Sequence, residues 1–193
     1  MGAAAAVAQP VPGWIESIEP FEMWSNLDGH GQTWFHPRIC RLPSGQLFMT
    51  VQGIGGSDYY GPVHWSVSGD GGRNWTRPEP VPGMGRRKVD GGIEEGYCDT
   101  VPEYHARTGT ILAMAQNVYY KDGRLTRPNA QRWPVYCVRS ASGQWSGLER
   151  LEWNHPEATA LYMSGCSQRI ELPDGDLLIP LTFGPLSRPD RGV

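Results

Sequence analysis

Ser68-Gly69-Asp70-Gly71-Gly72-Arg73-Asn74-Trp75 follows the alternating run Val63-His64-Trp65-Ser66-Val67. An alternating run reads as a strand, and the Asp-Gly-Gly that follows reads as a tight corner. Within such a corner the Asp70 carboxylate accepts backbone N–H groups, Gly72 takes the left-handed conformation, and Trp75 buries its ring between neighbouring units of the repeat. A worn copy, Ser140-Ala141-Ser142-Gly143-Gln144-Trp145, follows Pro134-Val135-Tyr136-Cys137-Val138-Arg139. The two tryptophans are separated by 70 positions.

A second repeated element lies between these corners. Ile39–Met49, Val101–Ala113 and Ile170–Ile179 each read as strand, glycine turn, strand, with the turn glycines Gly45, Gly109 and Gly175 spaced 64 and 66 residues apart. Pro-Ser-Gly at 43–45 and Pro-Asp-Gly at 173–175 preset the first turn angle with proline and the positive φ with glycine. Each unit therefore contains four short strands, the size of a propeller blade with a generous loop. The expected fold is all-β, a β-propeller with blades at about 34–82, 96–151 and 162–193, the last incomplete. Residues 1–33 read as a tail and lead-in strand.

Composition agrees with an all-β chain. The 193 residues include 25 glycines, 17 prolines, 8 tryptophans and 8 tyrosines, with a formal net charge of −3. No basic surplus points to nucleic acid, and no apolar run reaches the roughly 18 residues that a membrane helix needs. The Ala-rich start, with Ala6-Val7-Ala8, has the small residues of a signal-peptide cleavage site without its basic and apolar regions. It gives a push toward a secreted or periplasmic location, while a plain tail is the preferred reading of the stretch. Cys40, Cys98, Cys137 and Cys166 lack metal or redox spacing, as do the five histidines, so neither a metal nor a cofactor is expected. The cysteines read as small core fillers.

The pattern S-x-D-x-G-x-x-W, carried by Ser68, Asp70, Gly72 and Trp75, resembles the Asp-box of the sialidase and BNR-repeat family. The resemblance implies a ring of about six blades, so this chain is expected to be about half a propeller, inactive alone, or completed by a second chain. It implies an exo-α-sialidase type of glycoside hydrolase that removes a terminal acidic sugar from a glycan or glycoconjugate. Pro37-Arg38-Ile39-Cys40 is similar to the family's Arg-Ile-Pro strand, which makes Arg38 the counterpart of a carboxylate-clamping arginine; a planar guanidinium matches a carboxylate with two hydrogen bonds. Asp58, in the Gly-rich stretch Val51–Gly61 read here as a loop, takes the place of the family's acid/base aspartate, which protonates the leaving glycosidic oxygen. The chain departs from the family in having Cys40 after Ile39 and no arginine between Val51 and Asp58. No tyrosine is assignable as nucleophile.

Further candidates come from the residues themselves. The polar run Asp90–His105 enters a strand next to the ring axis, and Glu95, Asp99, Glu103 and His105 are candidate sugar contacts. Glu103 and His105 share a strand face. His36 and Trp34, just before Arg38, are placed at the mouth of a pocket, and Trp133 is a second candidate sugar platform. The basic cluster Arg86-Arg87-Lys88 reads as a solvated loop. Two other functions fit the same pattern: a non-catalytic Asp-box propeller that binds glycan or protein, and a polysaccharide lyase that uses histidine and tyrosine as base and acid.

Overall fold

Along Thr33–Arg41 exposed and half-buried positions alternate without a break, as they do in a strand with one covered face. This strand, β1, pairs antiparallel with β2 (Leu47–Gly55), and β3 (Tyr59–Ser68) and β4 (Glu79–Pro80) complete a four-stranded sheet in the order β1-β2-β3-β4. The computed structural model describes residues 15, 17–25, 33–55, 58–126, 132–152, 160–162 and 169–184. A second sheet contains β5 (Arg87–Val89), β6 (Ile93–His105), β7 (Thr110–Lys121), β8 (Arg124–Thr126), β9 (Pro134–Arg139) and β10 (Glu149–Arg150). Its order is β10-β9-β7-β6-β5, with β8 paired to β7. Two short antiparallel pairs follow, β11 (Ala160–Tyr162) with β14 (Thr182–Gly184) and β12 (Ile170–Glu171) with β13 (Leu177–Leu178). Among the described residues the one helical element is a 3₁₀ turn at Asp90–Gly92, and no helix is long and apolar enough to cross a membrane. The fold is all-β. The expectations for the N-terminal tail (residues 1–14) and for Cys166 lie outside the described residues.

Gly45, Gly109 and Gly175 close the three hairpins at φ of 85°, 69° and 87°, conformations that cost a side chain. The Ser68–Trp75 corner is hydrogen-bonded internally. Asp70 Oδ1 accepts from the Asn74 N–H (2.9 Å) and the Ser68 hydroxyl (2.8 Å), Ser68 Oγ accepts from the Gly72 N–H (2.9 Å), and Trp75 Nε1 donates to the Gly72 carbonyl (2.9 Å). The worn copy keeps the bond to its serine, with the Gln144 N–H donating to Ser140 Oγ at 3.1 Å, and lacks a carboxylate.

The two sheets meet along a mixed seam. Its apolar part joins Val63, Val81 and Met84 from the first unit to Tyr97, Ala115, Val135 and Cys137 from the second. Trp145 is wedged across it, 6.1 Å from the Phe48 ring and 6.4 Å from Trp65, while Phe48 and Trp65 stack at 5.6 Å. Trp75 instead folds back over its own corner. At Gly83 a Cβ would lie 2.9 Å from Leu148 Cβ, so only glycine permits this approach. The polar part consists of buried side chains of β2. Thr50 Oγ1 donates to the Thr100 carbonyl (2.7 Å), and Gln52 Nε2 donates to the Tyr97 carbonyl (2.7 Å) and the Gly61 carbonyl (3.0 Å).

Two local readings differ from the sequence expectation. Val51–Gly61 is mostly strand: β2 runs to Gly55 and β3 starts at Tyr59. Gly53 and Gly61 serve close packing, since a Cβ on Gly61 would sit 3.2 Å from the Gly53 carbonyl. The basic cluster is not a loop either: Arg87 and Lys88 belong to β5 and are exposed, while Arg86 is drawn out of solvent. The Arg86 guanidinium lies 3.3 Å over the Tyr59 ring and its Nε donates to the Tyr60 carbonyl (2.7 Å), and Arg87 is paired with Glu95. Long cationic side chains bury their stems this way when aromatic faces and free carbonyls are in reach.

Two outcomes follow. Replacing Trp145 with alanine opens the seam and lowers unfolding free energy by about 3 kcal/mol, as read by chemical denaturation. The Asp70 carboxyl is held at about 2, below its ordinary 3.8, by the Asn74 N–H first, then the Asn74 amide and the Ser68 hydroxyl. Its stabilising contribution is present above the ordinary value and is lost as pH falls through the folded value. The stability gap between wild type and Asp70→Asn therefore closes on acidification toward about pH 2.

Candidate active site

One strand of each sheet, β1 in the first and β6 in the second, carries the same defect. The β1–β2 ladder slips between Phe35 and Arg38, and the β6–β7 ladder slips between Cys98 and Val101. Arg38 pairs with Thr50, five residues beyond Gly45, and Val101 pairs with Met114, five beyond Gly109. His36 and Asp99 each stand two residues before these partners, so they occupy equivalent positions of the repeat. Both are left-handed, at φ of 52° and 55°, and Asp58 at the β2–β3 turn is left-handed too, at 52°. Each such residue costs about 1 kcal/mol or more unless its surroundings enforce it, and strain of this kind collects at functional sites. Bulges re-aim side chains that regular alternation would send elsewhere.

The strained residues converge. His36 Nδ1 lies 2.9 Å from Asp99 Oδ1, off the hydrogen-bonding axis of the ring, and the imidazole stacks on Tyr60 with centroids 5.1 Å apart. The Tyr60 hydroxyl donates to Asp58 Oδ1 at 3.3 Å. Burial, then the carboxylates of Asp58 and Asp99, push the Tyr60 phenol well above its ordinary range, so it keeps its proton. The cluster thus holds a carboxylate pair, an imidazole and a protonated phenol, groups that give and take protons. Arg38 is half-buried two residues along β1, with Nη1 3.4 Å from the Pro37 carbonyl.

Of the residues singled out by sequence, His36, Asp58 and Asp99 are brought together, with Arg38 and Trp34 on the same strand. Trp34 is half-buried, edge-on to His64 at 5.2 Å. Glu95 is buried four residues before Asp99, where it accepts from Asn117 Nδ2 at 3.0 Å and pairs with Arg87. Glu103 and His105 lie toward the other end of β6 and grip the β12–β13 hairpin. Glu103 takes the Arg169 N–H (2.9 Å), and His105 Nε2 is 2.9 Å from the Gly175 carbonyl and 3.5 Å from Glu171. Ser68, Asp70, Gly72 and Trp75 remain in their structural corner. Tyr60 was missed. The available signal was its position two residues after Asp58, which on a strand puts both side chains on one side.

No protein-family model and no curated protein sequence matches the chain. Among solved structures, a Hadza microbial sialidase aligns over 83% of this chain and 34% of its own, with 18% identity and a TM-score of 0.62. An ulvan lyase, described as a new family of polysaccharide lyase, aligns over 77% of this chain and 36% of its own, with 13% identity and a TM-score of 0.54. The same lyase bound to -[GlcA(1-4)Rha3S]- gives 0.53. The chain spans about a third of the length of these structures. At such identities the likeness is one of fold, a sialidase-like all-β architecture shared with carbohydrate-processing enzymes.

Glycine at position 58 relieves the left-handed strain and removes only an exposed carboxylate. Asp58→Gly is therefore expected to unfold within about 1 kcal/mol of wild type, on the stable side, while losing any activity that depends on the carboxyl. A thermal melt beside an activity assay checks both.

Proposed function

We propose that this chain carries part of the active site of a glycoside hydrolase of the exo-α-sialidase type, which removes a terminal acidic sugar from glycoconjugates. The observation that carries the reading is the convergence of three left-handed residues, His36, Asp58 and Asp99, around the half-buried Tyr60 phenol, with Arg38 two residues along β1 from His36. In this reading the sheets are successive blades, at about 34–82 and 96–151, a third begins near 162, and Ser68–Trp75 is an Asp-box. Asp58 protonates the leaving oxygen, and Arg38 receives the sugar carboxylate. His36, oriented by Asp99, and Trp34 line the sugar's path. Glu103 and His105 serve the fold. Tyr60, whose phenol is pushed up first by burial and then by Asp58 and Asp99, is given no nucleophilic role in this reading. The fold likeness to a sialidase supports the assignment.

A second reading, a polysaccharide lyase, is favoured by one specific feature. An imidazole in contact with a carboxylate stands beside a protonated tyrosine. In β-elimination His36 would take the proton next to the uronate carboxyl while Tyr60 gives its proton to the leaving oxygen, which leaves a carbon–carbon double bond.

The test is turnover of a fluorogenic sialoside by the protein bearing this chain, run beside a polyuronide panel read by the ultraviolet absorbance of unsaturated products. Hydrolysis of the sialoside, a fall of about 10²-fold or more in kcat for Asp58→Asn, and a raised KM for Arg38→Ala are expected. Absorbance growth on a polyuronide that Tyr60→Phe abolishes would replace the hydrolase with the lyase. Inertness on every substrate removes both.

A further inference from the structure

We propose that the cleft over Glu95 is a separate binding site for an uncharged sugar unit. It rests on the carbohydrate reading above and deepens it, since nothing in the Asp58 cluster requires a second site. The cleft has a volume of about 440 Å³, within the usual range for small-ligand sites. It opens on the face of the second sheet between the β6–β7 pair and the segment that leads into β10. Its floor is the Glu95 carboxylate, only 5% exposed. Asn117 Nδ2 donates to Oε1 at 3.0 Å, Arg87 pairs with Oε2, and Asn117 is itself fixed by the Trp133 N–H and lies 3.1 Å from the Tyr119 hydroxyl. Aromatic rings line the sides, with the Arg150 guanidinium 3.7 Å over the Trp133 ring.

The chemistry selects the ligand. Two carboxylates, Glu95 and Glu149, face the cleft, and so do two guanidiniums, Arg87 and Arg150. The charges balance, so an anionic sugar gains no net attraction and must shed its own hydration. Glu95 is buried but Arg87 is largely exposed, and an ion pair that reaches solvent adds little to stability. The same pair, with the Glu149 carboxylate, the Arg150 guanidinium and the Tyr119 phenol that also line the cleft, offers donors and acceptors to hydroxyl groups. Aromatic faces suit the C–H face of a sugar ring. The cleft is distinct from the Asp58 cluster. Glu94 accepts from the Tyr59 hydroxyl at 2.8 Å, and its neighbour Glu95 points to the opposite face of β6.

Calorimetry and saturation-transfer NMR with lactose and maltose, against sialic acid and glucuronic acid, test the site on the full chain. A neutral disaccharide is expected to bind and to receive saturation from aromatic protons. Tyr119→Phe and Glu95→Gln should each weaken that binding about tenfold, with the far-ultraviolet circular dichroism and thermal midpoint of Tyr119→Phe unchanged. Asp58→Asn should leave it as in wild type. Absence of binding by both neutral sugars, equal binding by Tyr119→Phe and wild type, or preference for the acidic sugars would overturn the proposal. Loss of disaccharide binding in Asp58→Asn would also overturn it, by placing the sugar at the other cluster. Binding of a neutral sugar without sialoside turnover would instead remove the hydrolase and leave the cleft.

Discussion

Everything that positions the candidate active site passes through Gln52 and Thr50. Their side chains leave one sheet and donate to the Tyr97 and Thr100 carbonyls of the other, on either side of the bulged Asp99. A ladder slip leaves main-chain groups without their strand partners, and a buried carbonyl left unmatched costs more than a formed hydrogen bond returns. The seam therefore fixes the bulge and the bulge fixes the seam. With the sheets docked in this register, His36 falls opposite Asp99. A one-residue slide of β2 would turn the amide and hydroxyl to the wrong face and part the pair.

The apolar half of the seam supplies affinity and the polar half supplies alignment. Trp145, Phe48 and Trp65 bury large areas, but ring packing tolerates small shifts in register. Two side-chain donors aimed at two particular carbonyls do not. The division also accounts for the environment of Tyr60. It lies where the apolar cluster of Cys98, Val118 and Tyr120 meets the strained turn at Asp58. Burial from one side and carboxylates from the other act on its phenol in the same sense.

The all-β architecture was legible in sequence because it is written in glycine turns and alternating strands. Gly45, Gly109 and Gly175 lie where the repeat placed them, each left-handed. The corner at Ser68–Trp75 has the hydrogen bonds that its residue types predict. The bulges were not legible. A left-handed histidine or aspartate has no compositional mark, and a ladder slip is a relation between two strands. Gly53 and Gly61 misled in another way: glycine rich in a polar stretch suggests flexibility, while here it permits two backbones to touch. Arg86 read as solvated because its stacking surface, Tyr59, lies 27 positions away in the chain. Candidate residues near the bulges were named one by one, but their meeting depends on a sheet-to-sheet contact that a linear reading cannot supply.

The equivalence of His36 and Asp99 bears on how such a centre arises. A tandem duplication copies a backbone irregularity along with the strand that bears it, and the copies then face each other across the new junction. One exchange of residue type in one copy is enough to set an imidazole against a carboxylate. With equivalent bulges on the two sides of the junction, a difference of residue type alone makes the pair asymmetric, and the scaffold that aims both groups is the same.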